Sequence, residues 1–226
     1  MESKIQILDV ELDKLCAKEV MKRAVQYMSS ESINTIEIMT MDMMLRSQET
    51  PKWDEAVKKL DLVIPGEVEI LEAAEIMDKS MIRDVSNQIF LKMFLRYLQR
   101  NKKRIFLVAP SRSALVELES AITLYDRHLI LVGHGILSKD GKSNENVINE
   151  INGAEVDCIL SILPSPEQEL FIQENSALLN ARIWFGCGDV LKENYMKKNR
   201  KGWIRRFFRK KIFRYLVGQH KKNEEV

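Results

Sequence analysis

Short apolar runs alternate along the chain with stretches in which apolar residues recur every three or four positions. The runs are Lys4 to Val10, Asn34 to Met39, Asp61 to Ile64, Arg104 to Ala109, His128 to Gly133, Asp157 to Leu163 and Arg182 to Phe185. They have strand length and are rich in Val, Ile, Leu and Phe. Between them, Ala114, Leu118, Ala121, Ile122 and Tyr125 share one helical face, and Leu15, Met21, Ala24, Val25 and Met28 do much the same. Arg83 to Arg100, with Val85, Ile89, Phe90, Met93, Phe94 and Tyr97, reads as a third, continuous helix. Strands alternating with helices predict an α/β fold, a Rossmann-like and mostly parallel sheet covered by helices on both faces.

The 226 residues are 45% apolar and 30% charged, enough apolar material for a sizeable core and too much for a disordered chain. No apolar run approaches the ~20 residues that span a bilayer. The first twenty residues mix acids and bases among apolar positions, unlike a signal peptide, so a cytoplasmic protein is expected. Cys16, Cys158 and Cys187 are widely spaced and form no C-x-x-C pair, which predicts buried thiols rather than disulfides or a zinc site.

Charge divides the chain in two. Residues 191 to 222 hold 13 Lys or Arg against one acid, a net of +12, whereas the first 190 residues hold 22 bases and 30 acids, a net of −8. The expected organisation is therefore an α/β domain over residues 1–190 and a basic appendage over 191–226. On a helical wheel the appendage places Trp203, Ile204, Phe207, Phe208, Ile212, Tyr215 and Leu216 on one arc. Arg205, Arg206, Arg209, Lys210 and Arg214 lie opposite, with Phe213 and Val217 toward the polar side. Such a helix can lie in the interface of an anionic membrane, or pack its apolar arc on the protein's own core. Nucleic acid ranks last, because the aromatics sit opposite most of the bases.

In open α/β sheets, ligands bind beyond the carboxyl ends of the strands. The distinctive turns fall there: Thr40 and Asp42, Pro65-Gly66-Glu67, Pro110 to Ser113, Gly133-His134-Gly135, Pro164 to Glu169, and Gly186 to Asp189. Ser165, Pro166 and Gln168 have the spacing of an N-cap, first helical residue and capping box. No P-loop and no G-x-G-x-x-G is present. His134 in a flexible turn, with no convincing second ligand in His128 or His220, predicts no metal.

Taken in order, these segments resemble the WecG/TagA/CpsF family of bacterial glycosyltransferases, glycosyltransferase family 26. Thr40-Met41-Asp42 stands where that family has Thr-x-Asn, and Asp61 to Gly66 is similar to its A-D-x-V-x-P-D-G segment. Ser165-Pro166-Glu167-Gln168-Glu169 resembles its G-S-P-K-Q-E motif, and Gly186-Cys187-Gly188 its G-x-G strand end. The resemblance implies an inverting transferase with no cofactor and no obligate metal. It would move an N-acetylmannosamine-like N-acetylhexosamine from a UDP-sugar donor to a polyprenyl-diphosphate-linked acceptor, in cell-surface polysaccharide synthesis. It further implies a peripheral position on the inner face of the membrane. Carried onto this chain, it assigns Glu67 and Asp42 to catalysis, and Thr40, Gly66, Ser165, Gln168, Gly186 and Gly188 to substrate binding. Arg205, Arg206, Arg209 and Lys210 fall to the anionic membrane surface and the lipid diphosphate. A homo-oligomer stays open. Gly66 occupies the family's aspartate position, with Glu67 next to it, and Pro164 and Glu167 replace the family's glycine and lysine. These departures leave a second reading, a catalytically degenerate member that binds nucleotide sugar or docks to a membrane assembly.

Overall fold

The computed structural model describes residues 4–47, 50–137, 144–188, 190–191 and 200–224, with side chains for all of these except 47, 51, 200–208, 223 and 224. Six parallel strands form the central sheet: β3 (Asn34–Met39), β4 (Leu62–Pro65), β5 (Arg104–Ala109), β6 (Ile130–Ile136), β7 (Cys158–Ser161) and β8 (Ile183–Gly186). Their order across the sheet is β4-β3-β8-β7-β5-β6. β1 (Lys4–Ile7) and β2 (Val10–Asp13) form a separate antiparallel hairpin. The sequence reads Lys4 to Val10 as one strand because Leu8 and Asp9, both at positive φ in the turn, lack the glycine or asparagine that marks such a turn. Buried Asp13 joins the hairpin to the sheet by accepting the Val63 N–H at 2.9 Å.

One face of the sheet is covered by α1 (Ala17–Tyr27), α6 (Ile89–Arg100) and α7 (Arg112–Tyr125), whose Ala24, Phe94, Leu98 and Leu118 pack on Ile36, Ile38, Leu107 and Phe185. The other carries the hairpin, α3 (Pro51–Val57), α8 (Asn144–Gly153) and α9 (Glu167–Asn175), packed on Met39, Val63, Phe106 and Trp184. The remaining helices are α2 (Met41–Ser47), α4 (Val68–Ala73), α5 (Lys79–Ser86) and the long α10 (Arg200–Glu224). No helix of the described residues is long and apolar enough to cross a membrane.

Several sequence expectations need correction. The helix read as continuous from Arg83 to Arg100 is two helices, broken where Gln88 takes a left-handed backbone (φ 50°) and Asn87 Nδ2 donates to the Arg83 carbonyl. Gly133, His134 and Gly135 lie inside edge strand β6, not in a turn. A Cβ on Gly133 would meet the Phe106 ring at 2.6 Å, so the glycine serves ring packing. The helix after β7 starts without the expected capping box: Pro166 is its N-cap and no side chain closes it. Cys16 is half-buried at the start of α1, while Cys158 and Cys187 are buried.

In the described part of α10, Phe213 and Val217 face the body, with Leu216 partly buried beside them. Phe213 is 0% exposed and joins Met39, Met44, Trp53, Val63 and Val217 in one cluster, whereas Ile212 and Tyr215 are 52% and 65% exposed. Ion pairs accompany this seating. Arg209 meets Asp42 at 3.2 Å, Lys210 meets Glu69 and Glu72, and Arg214 meets Glu72 at 2.6 Å. Hydrophobic patterning alone cannot see that the docking surface is acidic. Arg205, Arg206, Trp203, Ile204, Phe207 and Phe208 have side chains outside the described residues.

Candidate active site

After β5 the chain crosses outward to β6, whereas after β7 it turns the other way to β8; because β5 and β7 are neighbours, their departing loops leave a crevice. A cavity of about 190 Å³ opens at this end of the sheet, beside the crevice. Its wall comes from five strand ends and α10: Thr40, Asp42 and Arg46 after β3, Glu67 after β4, Pro110 after β5, Ser165 after β7, Gly188 after β8, and Arg209. Turns far apart in sequence thus meet at one rim of the sheet.

Glu67 reaches this cavity because Gly66 cannot carry a side chain. The Gly66 N–H donates to the Met39 carbonyl at 2.8 Å, and a Cβ at Gly66 would meet Ile38 Cγ2 at 2.6 Å and the Met39 oxygen at 2.9 Å. The first side chain after β4 with room to turn into the cavity belongs to residue 67. Its Oε2 accepts the Met41 N–H at 2.6 Å, which ties the end of β4 to the start of α2. Thr40 Oγ1 accepts the Met43 N–H at 3.4 Å in the same turn.

Asp42 is the organiser of the cationic side. Arg46 Nε donates to Asp42 Oδ2 at 3.0 Å and Arg209 Nη1 meets Asp42 Oδ1 at 3.2 Å. One carboxylate therefore holds two guanidinium groups on the cavity wall, an arrangement suited to an anionic, diphosphate-like ligand.

Beneath the floor lies a buried polar layer. Trp53 Nε1 donates to Ser165 Oγ at 2.7 Å, and Ser165 Oγ donates to Glu169 Oε1 at 2.7 Å. Gln168 Nε2 donates to Glu37 Oε2, and Trp184 Nε1 reaches Gln168 Oε1 at 3.4 Å. Burial first, and then the neighbouring Glu169, pushes the Glu37 carboxyl well above the ordinary carboxylate range; burial raises Glu169 too. Gly186 lies beside Glu37 on the neighbouring strand β8, and a Cβ there would overlap both Glu37 and Gln168.

A model of the glycosyl transferase WecG/TagA/CpsF family matches residues 5–206, from β1 into α10. The chain belongs to that glycosyltransferase family. No curated protein matches it.

For this WecG/TagA/CpsF glycosyltransferase, the residues expected at the site divide into two sets. Thr40, Asp42, Gly66, Glu67, Ser165, Gly188 and Arg209 converge on the cavity or the turn that shapes it. Gln168 and Gly186 do not: both are buried in the layer below. Gln168 touches Glu37 and Trp184 in place of a capping contact, because a fully buried amide must find its partners inside. Lys210 faces Glu69 and Glu72 on α4. Sequence reasoning passes over Arg46, Trp53 and Glu37. Arg46 had a legible signal, its i, i+4 spacing from Asp42. Trp53 and Glu37 had none, since their partners lie 112 and 131 positions away.

Proposed function

We propose that the protein transfers an N-acetylhexosamine of the N-acetylmannosamine type from a UDP donor to a polyprenyl-diphosphate-linked acceptor, with inversion and no obligate metal, in cell-surface polysaccharide synthesis. The convergence of Glu67 with the Asp42-held pair Arg46 and Arg209 around one cavity carries this reading. Glu67 is the base: it takes the proton from the acceptor hydroxyl as that oxygen attacks the anomeric carbon on the side opposite UDP. The bond to the UDP oxygen breaks, and the guanidinium groups of Arg46 and Arg209 offset the charge that develops on the departing UDP diphosphate. Thr40, Ser165 and the backbone at Gly66 and Gly188 bind the donor sugar. Asp42 acts by holding the two arginines, while Gln168 and Gly186 support the floor.

The same reading puts the enzyme on the inner face of the membrane. α10 turns exposed Ile212 and Tyr215 outward while Phe213 and Val217 hold it to the body. Apolar side chains beside cationic ones suit an anionic lipid interface, where each nearby base adds ~1 kcal/mol.

The test is UDP release from UDP-N-acetylhexosamines in the presence of a lipid-linked acceptor. Glu67→Gln should lower turnover by roughly 10²- to 10⁴-fold, the usual worth of a general base, with UDP binding retained. Turnover unchanged in that variant removes Glu67 from the chemistry. Binding of UDP-sugar without turnover by the unmodified chain supports the non-catalytic reading instead.

A further inference from the structure

On the sheet face away from α10, the paired helices α1 and α6 enclose an open groove of about 620 Å³. Its floor is apolar: Met21 and Val25 from α1 face Ile89, Met93 and Tyr97 from α6, each set recurring every four residues. Its rims are cationic. Lys92, Arg96 and Arg100 run along α6 at the same spacing, and Lys18 and Lys22 follow Met21 and Val25 around α1; all five are exposed. Among the described residues none of the five has an ion-pair partner, whereas Arg209, Lys210 and Arg214 of α10 all meet carboxylates. Asp126, beyond the α6 rim, is engaged by the His128 N–H at 2.8 Å.

We propose that this groove docks an acidic amphipathic helix of a partner protein. The partner's apolar ridge would fill the Met21–Val25–Met93–Tyr97 floor, and glutamates or aspartates on both flanks of that ridge would meet the two basic rims. A twelve-residue α6 offers a seat ~18 Å long, room for about three helical turns. Two considerations select this occupant, the second resting on the membrane seat proposed above. A second copy placed by two-fold symmetry would bring the five bases against their own counterparts, an unfavourable like-charge contact. A membrane engaged through Ile212 and Tyr215 of α10 lies on the other side of the sheet, where Phe213 packs with Met39 and Val63, and it leaves the groove facing away from lipid. The inference does not depend on the transferase chemistry.

The probe is a labelled synthetic helix of about 14 residues, leucines along one stripe and glutamates on both flanks, titrated against the full chain by fluorescence anisotropy. Saturable binding is expected, weakened by roughly tenfold or more in the Arg96→Glu/Arg100→Glu double variant and weakened by rising salt. Val25→Asp, a change at the floor, should act likewise. The same peptide with lysines for glutamates should not bind. Absence of saturable binding, binding that survives both variants, or equal binding of the lysine peptide overturns the proposal. Sedimentation of the chain alone provides a further check: a dimer dissolved by Arg96→Glu/Arg100→Glu assigns the groove to a second copy. Retention on phosphatidylglycerol vesicles abolished by the same change assigns it to lipid. Either result also overturns the proposal.

Discussion

Replacing Phe213 by alanine tests whether α10 is held by its buried ring or by its charges. The ring is fully buried in one cluster with Met39, Met44, Trp53 and Val63, and such a truncation typically costs ~3–5 kcal/mol. The pairs that Arg209 and Lys210 make with Asp42 and Glu72 are partly exposed, and pairs of that kind are worth roughly 0.2–1 kcal/mol each. Burial should therefore dominate, and its loss should release the helix locally. Detachment carries Arg209 off the cavity wall and leaves Asp42 with Arg46 alone. Hydrogen exchange across residues 209–222 should accelerate in Phe213→Ala while β5, β7 and β8 stay protected, and UDP binding should weaken. Lys210→Ala should change the same exchange only slightly. If Phe213→Ala leaves α10 as protected as before, or if Lys210→Ala releases it equally, then ring burial is not what seats the helix.

Other perturbations separate chemistry from architecture. Gly66→Asp restores the residue type of the family motif, yet it should destabilise by ~1–3 kcal/mol through overlap with Ile38 and the Met39 carbonyl, with no gain in turnover; denaturant melts and UDP release check both. Glu37 keeps its proton when folded at a pH where the unfolded chain has released it. Stability thus falls as pH rises between the two values, by at most ~1.4 kcal/mol per pH unit. Glu37→Gln should flatten that fall in urea midpoints measured from about pH 5 upward, and an unchanged slope would mean the acid is ionised in the core. Arg46→Ala should weaken binding of UDP while leaving the melting temperature nearly unchanged, since Arg46 is exposed and pairs with Asp42 one turn away on the same helix. Ile212→Glu with Tyr215→Glu should reduce sedimentation with anionic vesicles and leave α10 docked, because both side chains already face away from the body.

The alternation of apolar runs with 3.6-period stretches by itself determined the α/β class. It placed β3 and β5 at their observed limits and the other strands of the parallel sheet within a few residues, because burial on both faces writes Ile, Val and Leu densely into parallel strands; the hairpin β1–β2 it read as one strand. Turn chemistry likewise located the rim where Thr40, Glu67, Ser165 and Gly188 meet. Only the tertiary structure decided what those residues face. The break at Gln88 carries no proline or glycine to announce it, and Gly133 is dictated by a ring from another strand. The seating of α10 places Phe213 among Met39, Met44, Trp53 and Val63 and its bases against carboxylates 140 or more positions upstream, and Ser165 and Gln168 lose their capping roles to Trp53 and Glu37. Local patterning records how each segment divides between water and core. Which polar groups pair inside that core is settled by the packing of distant segments, where an unmet hydrogen bond costs more than a missed cap.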